Sequence, residues 1–247
     1  MRLLVSGRSG LPALSDLDAA GLFTAYAAPQ AQWARCNMVT SLDGAATGAD
    51  GRSGSINNEA DHVVFEVLRA LSHVVVVGAG TVRTEGYPPL SVADPLVPLR
   101  RDHGLPDTLP LVAVSNRGEV PSTLRGCRDG RALMAVPAAA AGLDDARRDL
   151  GAENVLVCGD DEVDVKALVE ALHGRGWDHV LTEGGPSLLG SFLAAGQLDE
   201  LCFTIAPWVV GGEHPRPVGA DGTPVDLDLE VLVEQDATLM GRWFVRR

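Results

Sequence analysis

Positive charge is what this chain most lacks. Across 247 residues, 20 Lys and Arg stand against 33 Asp and Glu, a formal net charge of −13. A protein that grips a nucleic-acid backbone needs basic surface to displace counterions, so this balance argues against nucleic acid and against anionic membranes. Long apolar runs are missing as well. Stretches such as Val74–Val77 and Ala132–Val136 stop far short of the roughly 20 residues that span a bilayer. Aromatic residues are only 4% of the chain, whereas 46% is apolar, so the core must be built from Val, Leu and Ala.

Several reactive arrangements are also missing. Cys36, Cys127, Cys158 and Cys202 lie far apart, with no C-x-x-C pair and no histidine at ligand spacing. That pattern argues against a zinc site or a disulfide framework and reads as reduced structural thiols in a cytoplasmic protein. None of the 6 histidines stands in triad-like or metal-like spacing, and no metal is expected. Ser6, Ser53 and Ser187 lack the G-x-S-x-G elbow, and no Walker A sequence supports phosphoryl transfer. After Met1–Val5 come Ser, Gly, Arg and Pro rather than the apolar stretch of a signal peptide.

What the chain does have is alternation. Short Val- and Leu-rich runs predict strands at Trp33–Val39, His73–Val77, Leu111–Val114, Ala132–Val136, Asn154–Cys158, His179–Thr182, Leu201–Ala206 and Arg242–Val245. Most lack in/out alternation, as expected where helices cover both faces. Between them, Asn58–Leu71 places Val63, Val67 and Leu71 at helical spacing beside Val64 and Leu68, behind a capping-box-like Asn58 and Asp61. Val165, Leu168, Val169 and Leu172 repeat the period. A third helix opens on Pro186 and closes at Gly196. The pattern predicts one three-layer α/β domain at 33–247 with a mostly parallel sheet of about eight strands and an antiparallel C-terminal edge. Residues 1–32 read as a peripheral extension with a short helix in 16–28. The Pro-rich 88–110 stretch reads as a long irregular loop of the kind that often carries function.

Three segments have the composition of a site. In Asn37–Ala45 a strand runs into S-L-D-G, where Gly44 can take a positive φ. Asp43 either caps that turn or accepts hydrogen bonds from a polar substrate. In Val74–Arg83 a buried strand empties into Gly78-Ala79-Gly80-Thr81, which leaves backbone amides where an anion can sit. The third glycine of the dinucleotide fingerprint is absent, so close strand-to-helix packing explains the pair equally well. In His179–Leu189, Glu183 precedes Gly184, Gly185, Pro186 and Ser187. No turn requires a carboxylate there, and the glycines allow a diphosphate close to a helix N-terminus. Ser115-Asn116-Arg117 after a strand is either a plain turn or a cationic seat for a 2′-phosphate.

Taken in order, N-M-V-x-S-L-D-G, L-R-A-L-S-H-V-V-V-V-G-A-G-T-V-R-x-E-x-Y, and L-T-E-G-G-P-S-L-L followed by D-E-L-C-F-T-I-A-P-W-V-V-G-G resemble the reductase domain of the riboflavin-pathway deaminase/reductases. The likeness runs from about Trp33 to Arg247 and is greatest to stand-alone actinobacterial-type members. It implies a dihydrofolate-reductase-like fold, a homodimer, and NADPH-dependent reduction of a ribosylamino-pyrimidine, as in 5-amino-6-(5-phosphoribosylamino)uracil reductase. By position, the family's cofactor contacts fall on Thr40, Ser55, Thr81, Glu85, Ser115 and the Gly185–Ser191 turn with Leu188. Its substrate contacts fall on Ser53, Arg69, Leu90 and Glu183, with Asn37 and Asp43 lining the same pocket. Arg69 would offer a fork to a substrate phosphate, and Asp43, Glu183 or water would supply a proton. The H-A-E and P-C-x-x-C signatures of the zinc deaminase half are absent. So are the family's Lys near Cys36–Asn37 and its Arg in the phosphate-gripping loop at Leu90–Asp94; either Arg100 or Arg101 substitutes for that Arg from the long loop, or the substrate lacks that phosphate. Two other readings stay open: a dihydrofolate- or pteridine-type reductase, and a catalytically silent nucleotide-binding protein.

Overall fold

The valine-rich runs become the middle of a wide, twisted sheet. The computed structural model describes residues 1–7, 10–219 and 223–247. Its strands are β1 (Arg2–Val5), β2 (Trp33–Ser41), β3 (Val74–Gly78), β4 (Leu111–Val114), β5 (Ala132–Val136), β6 (Val155–Val157), β7 (His179–Thr182), β8 (Glu200–Ala206), β9 (Leu227–Gln235) and β10 (Thr238–Val245). They form one sheet of order β1-β9-β10-β8-β2-β7-β3-β4-β5-β6. From β8 to β6 the pairings are parallel. β10, β9 and β1 close the other edge antiparallel. The expected mixed sheet with an antiparallel edge is present, with ten strands among the described residues rather than about eight.

The missing alternation has a direct cause. Val75, Val77, Leu111, Ala113, Ala132 and Met134 face one buried cluster, and Val74, Val76, Val112, Leu133 and Ala135 face the other. Helices α1 (Ala19–Tyr26), α2 (Glu59–Ala70) and α5 (Leu143–Leu150) contribute to the first cluster. Helices α6 (Val165–His173) and α7 (Pro186–Ala194) contribute to the second. Short helices α3 (Ala79–Glu85) and α4 (Val97–Asp102) complete the chain. The expected Asn58 cap forms, its side chain accepting from the Asp61 amide at 3.0 Å. The buried stripe of α2 is rotated from the expected one. Ala60, Val64, Val67 and Leu68 are inside, whereas Val63 is 39% exposed.

Two expectations are corrected. The first thirty residues are not peripheral. β1 pairs with β9, and Leu3, Phe23 and Tyr26 are fully buried. The carbonyls that end α1 are held by arginines of the sheet. Arg35 Nη1 donates to Tyr26 O at 2.8 Å, and Arg242 donates to Ala25 O at 2.7 Å and Ala27 O at 2.9 Å. Nor is 88–110 an irregular functional loop. It carries α4, and Leu90, Val92, Leu96, Leu105 and Leu109 are buried in the core. Arg100 is fully buried there, donating to Arg69 O, Ala70 O, Ser72 O, Pro106 O and Thr108 O. Its task is to satisfy the orphan carbonyls at the end of α2, so it is not available to a substrate phosphate. Arg101 is exposed and paired with Asp107 at 2.5 Å.

Candidate active site

Parallel strands β2, β7, β3 and β4 are neighbours in the sheet, and all four end at the same edge. In open α/β sheets ligands bind in the crevice outside the carboxyl ends of the strands, and here a cavity of about 710 Å³ opens at that place. β2 contributes Asn37, Met38 and Val39. The residue after β7 is Glu183, β3 ends in Gly78, and β4 runs into Ser115, Asn116 and Arg117, all of which line the cavity.

The two glycine corners meet at its floor. The Gly78 amide donates to Gly184 O at 2.7 Å, and the Glu183 amide donates to Val76 O at 3.1 Å. Gly184 has φ +75°, and a Cβ there would stand 2.9 Å from Met38 Sδ. A Cβ on Gly185 would stand 2.7 Å from Thr81 Oγ1 and near nothing else, so Gly184 is held to glycine by its backbone and Gly185 only by one side-chain hydroxyl. Gly185 caps α7 without a side-chain bond, and Pro186 occupies the first helical turn. The Ser187 and Leu188 amides therefore have no partner within the helix, and both residues face the cavity.

Glu183 is almost wholly buried. Arg69 Nε and Nη2 donate to its two oxygens at 2.7 and 2.9 Å, a bidentate pair. Burial alone would lower the Arg69 pKa, and the Glu183 carboxylate more than reverses that. The guanidinium also lies 4.0 Å over the Phe65 ring. Tyr87 donates its hydroxyl to the same carboxylate, and burial together with the Glu183 charge holds the phenol well above its ordinary pKa. Across the cavity Glu85 Oε1 accepts from the Ser53 amide at 3.0 Å and from its hydroxyl at 3.1 Å. Ser115 Oγ accepts from the Arg117 and Gly118 amides, and Asn116 Oδ1 accepts from the Val163 amide at 3.0 Å.

Most of the residues singled out in the sequence converge on this cavity. Asn37, Ser53, Gly78, Gly80, Thr81, Glu85, Ser115, Arg117, Glu183, Gly185, Pro186, Ser187 and Leu188 all line it. Six do not, each for a physical reason. Thr40 is buried, with its hydroxyl donating to Ser41 O and Ala45 O. Ser55 is turned outward to Asp50 at 2.7 Å, Leu90 packs into the core, and Gly184 lies beneath Gly185. Arg69 is committed to Glu183, so it is not a free fork for a phosphate. Asp43 is exposed, and its carboxylate accepts from Ser41 Oγ at 2.6 Å, Val210 N at 3.1 Å and Gly211 N at 2.7 Å. Those bonds, the Ser41 hydroxyl foremost, pull its pKa down to about 2. It staples the chain after β8 and does not line the cavity.

Sequence reading missed Asn57, Asp61, Phe65, Tyr87, Glu162 and Val163, which also line the cavity. Tyr87 closes the E-x-Y motif, and Asp61 belongs to a capping box, which gave its backbone a role and concealed its carboxylate.

The model of the RibD C-terminal domain matches residues 32–240. The chain belongs to the RibD C-terminal domain family. It is similar to the 2,5-diamino-6-ribosylamino-4(3H)-pyrimidinone 5′-phosphate reductase of Archaeoglobus fulgidus, 30% identical over 187 residues, covering 75% of this chain and 84% of that one. It is also similar to the riboflavin biosynthesis protein RibD of Mycobacterium tuberculosis, 29% identical over 185 residues, covering 74% of this chain and 44% of that longer protein. Among solved structures, a pyrimidine reductase-like protein from Corynebacterium diphtheriae shares the fold with a TM-score of 0.81 at 24% identity, covering 94% of this chain and 100% of that one. RibD family membership spans the region from β2 into β10, so the buried N-terminal strand and α1 lie outside the matched region.

Proposed function

We propose that this chain is an NADPH-dependent oxidoreductase that reduces a ribosylamino-pyrimidine 5′-phosphate to its ribitylamino form. The observation that carries this is the contact of the two glycine corners, Gly78 N to Gly184 O at 2.7 Å, beneath unpaired amides at the start of α7. A diphosphate is the ligand such amides suit, because the helix dipole and free N–H groups both favour an anion. A Cβ on Gly185 would point at the Thr81 hydroxyl, which lines the same cavity. Arg117 is exposed, forms no ion pair among the described residues and lines the end where β4 stops. With the Ser115 hydroxyl it favours a 2′-phosphate, hence NADPH over NADH.

When bound, the reduced nicotinamide supplies a hydride for C1′ of the ribosylamino group, with a proton needed at the attached nitrogen or at the ring oxygen. The chain's own residues do the positioning, the main contribution such a reaction needs. Glu183, clamped by Arg69 and Tyr87, is a fixed acceptor for sugar hydroxyls. Asn37 stands beside it as an adaptable polar contact, and the open cavity lets water deliver the proton. The supporting experiment is a thermal shift with each reduced dinucleotide, followed by NADPH oxidation with the ribosylamino-pyrimidine phosphate and with dihydrofolate. NADPH is expected to raise Tm more than NADH at equal concentration, by mass action on the native state, and only the pyrimidine should drive oxidation. Turnover of dihydrofolate alone would move the protein to the pteridine-type reductases, and no Tm rise with either dinucleotide would overturn the reading.

We further propose a cytoplasmic homodimer. Leu42, Trp208 and Val209 are 68%, 56% and 72% exposed, and the Leu42 amide donates to Trp208 O at 2.8 Å, so they form one apolar patch of the kind that marks an interface. Sedimentation equilibrium is expected to give twice the chain mass, and a single-chain mass would refute the dimer.

A further inference from the structure

The acid of the S-L-D-G turn has no part in the mechanism above, and its own turn does not need it. Ser41 closes that turn by itself. Its amide donates to Ala45 O at 2.9 Å, its hydroxyl oxygen accepts from the Ala45 amide at 2.9 Å, and its carbonyl accepts from the Gly44 amide at 3.0 Å. The Asp43 carboxylate instead takes the amides of Val210 and Gly211, 167 and 168 positions away along the chain. Residues 207–226 separate β8 from β9, longer than the roughly 12–15 residues beyond which a structureless connection usually has a function. The described part, 207–219, forms no helix or strand. It runs from the S-L-D-G turn to the start of α7, tied down along the way. The Leu42 amide donates to Trp208 O at 2.8 Å, the Ala46 amide to Pro215 O at 2.8 Å, and the Gly219 amide to Pro186 O at 3.0 Å. Val210 packs against Val39, Ile56 and Ala206. Asp43 supplies the charged tie, the stronger kind of hydrogen bond. Between these ties Pro215 lines the cavity together with Ala46 and Thr47.

Resting on the reductase reading, we infer that Asp43 is a positioning residue that holds 207–219 as a strap beside the cavity, and that this strap is a wall retaining the dinucleotide at the start of α7. Asp43 touches neither ligand. It acts through Pro215, which lines the cavity, and through the seat of Gly219 on Pro186. Pro215 has no N–H, and its carbonyl is taken by Ala46, so what it gives a ligand is apolar contact. Such contact is the same before and during hydride transfer. Losing it raises KM and leaves kcat in place, whereas losing a group at the reacting atoms would lower kcat.

The test combines NADPH binding, steady-state kinetics and hydrogen exchange on the full chain, at a concentration where sedimentation gives every variant the same mass. Asp43→Ala is expected to raise the NADPH Kd and KM at least tenfold with kcat within threefold. Asp43→Asn, which keeps one acceptor for the two amides, should fall between. Exchange should quicken at 208–216 in Asp43→Ala while α2 and β2 stay protected, a local opening that general unfolding would not give. Should Asp43→Ala lose that protection, the isosteric Asp43→Asn decides by the same measures. Action through the strap also predicts a non-additive cycle. Pro215→Gly alone should weaken NADPH binding, and adding Asp43→Ala to it should cost less than a further threefold. Unaltered exchange at 208–216, an unchanged Kd, additive effects, or a fall in kcat with KM held would each overturn the inference. NADPH binding that depends on Asp43, without oxidation by any pyrimidine, would leave the strap standing and sink the reductase reading. Oxidation with a Kd indifferent to Asp43 would do the reverse, and no NADPH binding at all would overturn both.

Discussion

Replacing Glu200 with alanine is expected to lower the unfolding free energy by about 3–5 kcal/mol, the usual cost of removing one partner from a buried ion pair. Glu200 is fully buried between two arginines that are themselves almost completely buried. Arg242 Nη2 lies 2.8 Å from Glu200 Oε2 and Arg35 Nη2 lies 3.5 Å from it, while Trp33 Nε1 donates to the same oxygen at 2.6 Å. Without that carboxylate two guanidiniums remain uncompensated inside the protein. Both also hold the last carbonyls of α1, so the N-terminal segment is expected to loosen first. Burial alone would raise the Glu200 pKa, and the charges of Arg35 and Arg242 hold it below its ordinary 4.5. A depressed carboxyl stabilises the fold above its unfolded pKa, and that contribution is lost as pH falls through the folded value. Urea unfolding should therefore show a wide gap between Glu200→Ala and the unaltered protein at pH 7, narrowing below pH 4.5. A loss under 1 kcal/mol would mean that the arginines find water instead.

The largest expected effect on the site comes from a single methyl group. Gly185→Ala is compatible with the backbone, because Gly185 has φ −63° and ψ −170°, but its Cβ would stand 2.7 Å from Thr81 Oγ1 with nothing else within 4 Å. The fold should survive while the space for the diphosphate is filled. Losing one or two hydrogen bonds to a charged ligand at about 1.5–3 kcal/mol each corresponds to roughly a 100-fold rise in the NADPH Kd. Thr81→Ala in the same chain separates the causes. If the methyl only collides with the hydroxyl, the double variant recovers affinity; if it occupies the anion's place, affinity stays low, and that is the result expected. Gly184→Ala is the contrasting case, since φ +75° and the contact with Met38 Sδ make it a folding defect first. Unchanged NADPH binding by Gly185→Ala would remove the glycine corners from the site.

Much of this molecule was legible before its structure. The parallel strands announce themselves because both of their faces are buried, which turns alternation into unbroken Val and Ala. The edge was harder. β9 is exposed at Leu227 and Leu229, and its hairpin to β10 turns on Asp236 and Ala237, both at positive φ, without the glycine that usually marks such a turn. β1 is only four residues long, and short strands carry little periodic signal. Arg69 on its helix and Arg100 in the long loop read in the sequence as cations for a substrate phosphate. One is bound to a carboxylate 114 positions away, and the other is bound to carbonyls at the end of α2.

The order of amino acids alone determined the layered α/β architecture, the glycine corners and the acid between them, because those depend on local chemistry: burial on two faces, φ freedom, a helix start without a cap. Only the tertiary structure decided which charged groups are spent and which are available. Asp43 became a staple, Arg69 a clamp and Arg100 a cap, whereas Asp61, hidden in a capping box, was left with a spare acceptor beside the cavity. Partners far apart in the chain set those outcomes, and the strength of a charge depends on its distance to such partners and on the water that burial removes.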